Sequence, residues 1–572
     1  MPLPLLRLPP TRASCASLPA TRPNQTANAL HPAWVVVLVS VWLATACNVP
    51  LWREVAALPG QGSLRGWGFA LAFALIVAGG NAALLSLLAW RFTLKPVVTL
   101  LLLVAAFGAY FMMAYGIVID ASMLTNALQT DLRESSDLLS WRMPVTVLAL
   151  AAPPLLWLYP RPVRRLGALR HLGHNALLLL AALAVTVGSL VLVFQDFSST
   201  MRNHTKLRYL INPLNSVYAL GRITTQALNP QNHTLQPLGR DAQLGASYAG
   251  QTQPPLLVLV LGETGRSVNF ALNGYARPTT PLLSARTDLA SARNAWSCGT
   301  STAASLPCMF SHLGRAQFDG GAAPYESLLD VLQHAGLAVL WLDNQSGCKG
   351  VCNRVHQAST SADKDPALCP GGECLDPILL KDLDARIAAL PADQRARGTV
   401  VVLHQMGSHG PAYYKRSAPA LKKFLPECTS SALQECSQQQ VVNAYDNSIV
   451  ATDQFLDSTI NWLQTQTSKA QTAMVYVADH GESLGENNLY LHGLPYAIAP
   501  DVQKQVPWIT WLSPAMQARS GVATACLQKD LTERRITHDA YFHSVLGLMD
   551  VRTSAYQPEQ DIYAACRSQH QP

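Results

Sequence analysis

Charge is scarce in this 572-residue chain: Asp, Glu, Lys and Arg make up 13% of it, about half the roughly 25% of soluble domains. With a mean hydropathy of +0.14, that scarcity excludes a wholly soluble or a disordered protein. The formal net charge of +7 suggests a nucleic-acid partner until the charges are located. Residues 1–197 carry 13 basic against 6 acidic side chains, whereas residues 198–572 carry 29 of each. The polar half lacks a basic excess, and with it the electrostatic footprint for DNA or RNA; no nucleic-acid partner is expected. Internal repeats and low-complexity runs are absent too. The Pro-rich residues 1–30 lack the apolar core of a cleaved signal peptide, and Cys15 lacks the context of a lipoprotein box. The first hydrophobic segment is therefore expected to act as an uncleaved anchor.

Five stretches lack charge altogether and approach the roughly 17–25 apolar residues that cross a bilayer core of about 30 Å: 33–51, 67–90, 99–119, 143–160 and 176–194. Pro153 and Pro154 interrupt the fourth, which neighbouring helices can compensate. With a cytoplasmic N-terminus, Arg7, Arg12, Arg22, Arg91, Lys95, Arg161, Arg164, Arg165 and Arg170 all face inward, leaving only Arg53, Arg65, Arg133 and Arg142 outside. An odd number of spans then places everything after residue 194 outside.

Ten of the twelve cysteines follow the last span, eight of them in close pairs: Cys298/Cys308, Cys348/Cys352, Cys369/Cys374 and Cys428/Cys436. Cys526 and Cys566 remain to pair with each other. Such usage fits disulfides in an oxidising compartment, the bacterial periplasm or an extracellular face. A zinc ribbon is disfavoured because a second, matched CxxC is missing. Cys15 and Cys47 are expected to stay reduced.

Residues 198–250 read as a linker with short surface helices; the amphipathic run 207–211 suits either a membrane surface or a packed connector. Beyond it, apolar β-type runs at 256–261, 338–342, 399–403, 473–477 and 506–512 alternate with helical patterns at 327–334, 378–390, 441–466 and 538–548. That alternation predicts an α/β domain on a largely parallel sheet.

Polar side chains collect just after those runs: Glu263, then Asp343 and Ser346, then His404 and His409, then Asp479 and His480. In open α/β sheets the ligand crevice lies at the carboxyl ends of the strands. Two carboxylates and an imidazole suit a divalent ion such as Zn²⁺, although Glu263 could instead cap a helix and His480 close a turn. The small-residue loop 298–308 leads toward a helix and offers hydroxyls that a metal and a helix N-terminus could activate. Spacing alone does not rank Thr300, Ser301, Thr302 and Ser305.

A set of motifs narrows the reading: GETGR at 262–266, CGTST at 298–302, the run from Asp343 to Gly350 with Lys349, GSHGP at 407–411, DHGESLGEN at 479–487 and LHGLPYAIAP at 491–500. DHGES alone indicates only the wider alkaline-phosphatase/sulfatase-like superfamily. Together with five spans and paired cysteines, the chain resembles the phosphoethanolamine–lipid A transferases of the EptA type, which include the mobile colistin-resistance enzymes. The resemblance runs from the first span to near the C-terminus. It implies an α-helical membrane domain at 1–197 with five helices, a periplasmic linker at 198–250, and a periplasmic alkaline-phosphatase/sulfatase-like catalytic domain at 251–572, anchored in the bacterial inner membrane.

The resemblance further implies transfer of phosphoethanolamine from phosphatidylethanolamine to a lipid A phosphate, by a monomer, through a covalent intermediate on Thr302. Diacylglycerol would be released and the outer-membrane charge lowered, a route to polymyxin resistance. The implied zinc ligands are Glu263, Thr302, Asp479 and His480, with His409 and His492 around a second zinc or the phosphoryl group. Ser346 and Lys349 would hold substrate, and Asn126, Thr130 and Glu134 the donor; their i, i+4, i+8 spacing fits one helical face. Two departures stand out: Cys348 and Cys352 bracket Lys349, and the tail through about Leu30 is long. A phosphoglycerol transferase of the lipoteichoic-acid-synthase type is the main alternative, disfavoured by the ten cysteines. A membrane-anchored phosphodiesterase or sulfatase would not need five spans. A non-catalytic receptor or transporter fits poorly with an intact metal set and uncharged spans.

Overall fold

The computed structural model describes residues 29–129, 137–228, 234–319, 323–360 and 363–567. The uncharged stretches become helices α1 (Pro32–Ala44), α2 (Val49–Ala56), α3 (Leu64–Leu88), α4 (Leu94–Tyr115), α5 (Ala121–Gln129), α6 (Arg142–Leu158) and α7 (Ala168–Leu192). A single 3₁₀ turn at Ala46–Asn48 joins α1 to α2. Asn48 stabilises this break from within, donating to the Leu43 carbonyl (2.6 Å) and accepting from the Asn212 backbone N–H (2.9 Å). Four helices are long and apolar enough to cross a membrane: Pro32–Ala56, Leu64–Leu88, Leu94–Tyr115 and Ala168–Leu192.

The segment expected as a span at 143–160 is the 17-residue helix α6, about 25 Å long at 1.5 Å per residue, so the expected five spans are four by length. Helix α6 nevertheless runs beside α4 from end to end. Ser140, just before α6, meets Tyr110 Oη at 2.8 Å near the end of α4. Past its other end, the Tyr159 and Arg161 carbonyls accept from Lys95 Nζ at the start of α4 (3.1 and 3.2 Å).

Two boundaries differ from expectation for local reasons. The third stretch stops at Tyr115 because Gly116 adopts φ +71°, and a Cβ there would lie 2.9 Å from the Asn488 carbonyl. The fifth starts earlier, at Ala168, where His171 and Asn175 both reach the Ala89 carbonyl (2.9 and 3.0 Å). Leu177, Leu180, Val187 and Val191 on α7 stay exposed, an apolar face of a kind that soluble monomers rarely carry. Helices α8 (Phe194–Asn203) and α9 (Leu214–Leu228) follow. Helix α9 packs back on α5, and Asn215 donates to the Ile119 carbonyl (2.7 Å), so this stretch is a packed connector.

The polar half is built on eight strands: β1 (Pro255–Gly262), β2 (Leu289–Trp296), β3 (Ala338–Asp343), β4 (His356–Ser359), β5 (Thr399–His404), β6 (Gln471–Ala478), β7 (Gln505–Leu512) and β8 (Ile536–Thr537), in the order β8-β2-β7-β6-β1-β5-β3-β4. Neighbours from β6 to β4 are parallel. Strand β7 runs antiparallel to both β6 and β2, a departure from a wholly parallel sheet. β1, β3 and β5 are buried throughout, as strands covered on both faces must be. The helix expected at 378–390 is broken: a 3₁₀ turn at Asp376–Leu380 and a helix at Leu383–Ala388 flank Asp382 at φ +56°.

Helices α10 (Thr302–Met309), α11 (Gln438–Gln466) and α12 (Asp539–Leu548) cover the sheet. Ser437 and Gln440 close a capping box at the start of α11. Disulfides join Cys298–Cys308, Cys348–Cys352, Cys369–Cys374, Cys428–Cys436 and Cys526–Cys566. Cys47 is free and buried, and Cys15 lies outside the described residues.

Candidate metal centre and nucleophile

Strand ends place the central side chains. Glu263 directly follows β1, and Asp479 and His480 directly follow its parallel neighbour β6, so the pairing of Gly262 with Ala478 sets them side by side. One ligand atom from each of Glu263, Asp479 and His480 lies within 4.8 Å of the others, and all three residues are buried. Thr302 opens α10 and completes the group, with Oγ1 3.0 and 3.2 Å from the two Glu263 oxygens and 3.4 Å from His480 Nε2. Of the four hydroxyls in its loop that spacing leaves unranked, Thr302 is thus in the cluster, while Thr300 donates to the Leu494 carbonyl and Ser305 to the Asp479 carbonyl.

The electrostatics fit a cation. Burial would raise the Glu263 carboxyl, but the His480 and His409 imidazoles and the Thr264 hydroxyl bring it below the ordinary carboxylate range. Burial and then the Glu263 charge push Asp479 up. Burial would lower His480, yet Asp479 and Glu263 carry it up to about 10. Two buried carboxylates this close disfavour double ionisation, and a divalent cation among them relieves that repulsion. Asp479 Oδ2 is buried and makes no hydrogen bond within the described residues, an oxygen that calls for a cation. The donor set of carboxylates, imidazole and hydroxyl therefore fits a bound metal ion. The other acidic and sulfur cluster, Cys298, Cys308 and Asp539, does not, because its thiols are joined to each other.

The remaining expected residues divide. The His492 ring lies tilted 4.3 Å from His480, ring centre to ring centre, with His409 5.8 Å beyond. The turn before His409 needs Gly407, which sits at φ +52° where a Cβ would come within 2.6 Å of the Glu263 carbonyl. Ser346 and Lys349 join the cluster through Gln345: its amide N–H donates to Glu263 Oε2 (3.1 Å), and its amide oxygen accepts from the Ser346 hydroxyl (2.7 Å). Lys349 Nζ donates to that hydroxyl (2.9 Å) and to the Gln129 carbonyl on the membrane half (3.2 Å). Asn126 lies on α5, whereas Thr130 and Glu134 fall outside the described residues. His404, five residues before the motif histidine His409, instead pairs with Asp343 (3.0 Å) at the end of β3.

Three residues of consequence lie outside the expected site set. Gln345, within the run from Asp343 to Gly350, is one. Glu482, fully buried 3.4 Å from His492 Nδ1, stands in DHGES, and that motif is its signal. His538 is the third: its Nδ1 accepts from the Cys298 backbone N–H (3.1 Å) and its Nε2 donates to the Ala478 carbonyl (3.1 Å). Burial drives His538 down to about 3, so it is neutral and pins the loop before Thr302 to the end of β6.

Comparison with known proteins shows the family. The family described as phosphoethanolamine transferase EptA/EptB matches residues 77–228, and the sulfatase family matches residues 255–551. Phosphoethanolamine transferase EptA of Escherichia coli K12 is 38% identical over 541 residues, covering 94% of this chain and 97% of the relative. Phosphatidylethanolamine transferase Mcr-1 of Escherichia coli is 36% identical, covering 91% and 95%. Among solved structures, the integral membrane lipooligosaccharide phosphoethanolamine transferase A of Neisseria meningitidis superposes with a TM-score of 0.87 at 34% identity, covering 93% of this chain and 98% of that one.

Proposed function

The chain belongs to the phosphoethanolamine transferases of the EptA type, and from that premise we propose that it transfers phosphoethanolamine from phosphatidylethanolamine to a lipid A phosphate through Thr302. The observation that carries this reading is the Thr302 hydroxyl at the N-terminus of α10, 3.0 Å from a Glu263 oxygen in a buried cluster of metal-binding character. Glu263, Asp479, His480 and Thr302 would hold Zn²⁺, which when bound supplies positive charge that acidifies the hydroxyl and polarises the phosphoryl oxygens. His409 and His492 offer a place for a second zinc.

Thr302 Oγ1 loses its proton and attacks phosphorus; the P–O bond to diacylglycerol breaks, and diacylglycerol leaves with a proton that replaces the one Thr302 lost. Lys349, His409 and His492 offset the charge that develops on the phosphoryl oxygens, and Ser346 fixes the lysine. An oxygen of the lipid A phosphate then attacks the phosphothreonyl centre, and Thr302 leaves and regains a proton. The product carries one more ammonium group, which lowers the negative charge of the outer membrane and with it the attraction for polymyxins. Asn126, Thr130 and Glu134 are assigned to the donor. A lipoteichoic-acid-type phosphoglycerol transferase is not favoured, since the relatives at 36–38% identity are phosphoethanolamine and phosphatidylethanolamine transferases.

We assign the N-terminus to the cytoplasm, α6 to a fifth crossing, residues 1–197, 198–250 and 251–572 to membrane domain, linker and catalytic domain, and the whole chain, as a monomer, to the bacterial inner membrane with its catalytic half in the periplasm. The full length of α4 spanned by α6 supports the fifth crossing. The test is to incubate the purified chain with phosphatidylethanolamine and weigh the active-site peptide. A phosphoethanolamine adduct on Thr302, absent in Thr302→Ala, is expected. A phosphoglycerol adduct formed from phosphatidylglycerol would favour the alternative, and a zinc-loaded protein that forms no adduct would overturn the reading.

A further inference from the structure

Helix α5 of the membrane half packs on α10 beside the site, and three further contacts among the described residues tie the two halves there. Lys349 reaches Gln129, and Met123 of α5 packs against Gly493, the neighbour of His492. The third is an ionic cluster around Asp137, a buried residue between α5 and α6 in sequence. Its carboxylate takes Lys415 Nζ at 2.6 Å and Arg416 Nη2 at 3.4 Å. Arg416 Nη1 reaches Glu373 at 2.7 Å, and its Nε donates to the His409 carbonyl at 2.9 Å. All three guanidinium nitrogens are engaged, and the Arg416 side chain is only 4% exposed. Within the catalytic half Lys415 and Arg416 both pair with Glu373, and the Asp376 carboxylate also feels the Arg416 charge. The second carboxylate in ion-pair contact with both cations comes from the membrane half.

We propose that Asp137 is a positioning residue for His409: it neutralises and orients Arg416, and Arg416 in turn holds the backbone of the turn that presents the His409 imidazole. Removing one partner of a buried ion pair leaves an uncompensated charge, and Arg416 would satisfy itself by shifting the carbonyl it holds. His409 is then correctly placed only while the two halves are docked, which ties phosphoryl transfer to a catalytic domain seated on the bilayer that carries its lipid substrates. Another ion pair across the same interface, Arg142–Glu435 at 3.5 Å, is 45% and 36% exposed and serves as a control.

The inference rests on reading His409 as a residue of the phosphoryl site. The test uses the full chain, zinc-loaded, in vesicles containing phosphatidylethanolamine. Asp137→Asn is expected to lower kcat by about ten- to a hundred-fold, the cost of a small misplacement, with KM within about three-fold. Carbethoxylation of His409, followed by peptide mass, should become faster. Asp137→Glu should restore most of both, and Glu435→Gln should change neither. Where Asp137→Asn alone does not fold, Asp137→Asn with Lys415→Met keeps the cluster balanced and is expected to show the same fall in kcat. A kcat within about two-fold of the parent, or a loss confined to KM, overturns the proposal. His409→Ala separates the two layers: a fully active His409→Ala removes the underlying reading, whereas an inactive one beside a fully active Asp137→Asn overturns only the link.

Discussion

At Glu263 both carboxylate oxygens are already spoken for by neutral donors, Thr264 Oγ1 on one (2.6 Å) and Gln345 Nε2 on the other (3.1 Å). Such partners fix the angle at which a ligand presents its lone pairs, and their loss typically costs about 10–100-fold in metal affinity. Gln345→Ala is accordingly expected to weaken zinc by that factor in a chelator competition; unchanged affinity would mean that Thr264 alone orients the carboxylate. Glu263, Asp479 and His480 are legible in the sequence because each stands just past an apolar run that must be a strand, and parallel strands gather their ends at one edge. Gln345, His538 and Arg416 are not. Each acts through hydrogen bonds to loop backbone or neighbouring side chains, and nothing in the order of residues announces which loops will meet.

Among the elements, the apolar runs of β1, β3, β5, β6 and β7 are visible as continuous hydrophobic segments, but a run carries no arrow, so the reversal of β7 could not be read from it. β2, Leu289–Trp296, was invisible because Arg293 and Asn294 break its hydrophobic pattern. Helix α12 shows a consequence that only packing reveals. His543 is fully buried there and accepts from the Gln557 backbone N–H (3.1 Å), and burial, its largest cause, drives it from 6.5 down to about 4. Between those values the unfolded chain binds the proton and the folded one does not, so stability is whole above about pH 6.5 and falls as pH drops toward 4. The slope from this residue is up to about 1.4 kcal/mol per pH unit. Thermal unfolding from pH 7 to 4.5 should show the decline, and His543→Asn should make it shallower, leaving the share that His538 contributes; parallel pH profiles in the two proteins would assign the acid sensitivity elsewhere.

For the molecule as a whole, the number of crossings decides which chemistry is available. Four crossings after a cytoplasmic N-terminus would return the catalytic half to the cytoplasm, where thiols are kept reduced and its five disulfides could not persist. Five crossings put it outside, beside the leaflet where both lipids meet it, and require α6 to traverse although its 17 residues fall short of a typical span. A tilted or locally thinned bilayer accommodates such a mismatch for fractions of a kcal/mol per Å, and the basic residues Arg161, Arg164, Arg165 and Arg170 beyond α6 then lie on the cytoplasmic side with Arg91 and Lys95, as the positive-inside rule demands. In a chain freed of Cys15 and Cys47, a single cysteine introduced at Arg165 should therefore resist an impermeant thiol reagent applied to the periplasmic face, while one at Gln61, in the loop between α2 and α3, should react. Labelling at position 165 from outside would remove the fifth crossing. Because α7 separates position 165 from the catalytic half, that outcome would put the catalytic half in the cytoplasm, against its five disulfides; protection at both 165 and Gln61 would instead mean four crossings from a periplasmic N-terminus, with Arg53 and Arg65 facing inward.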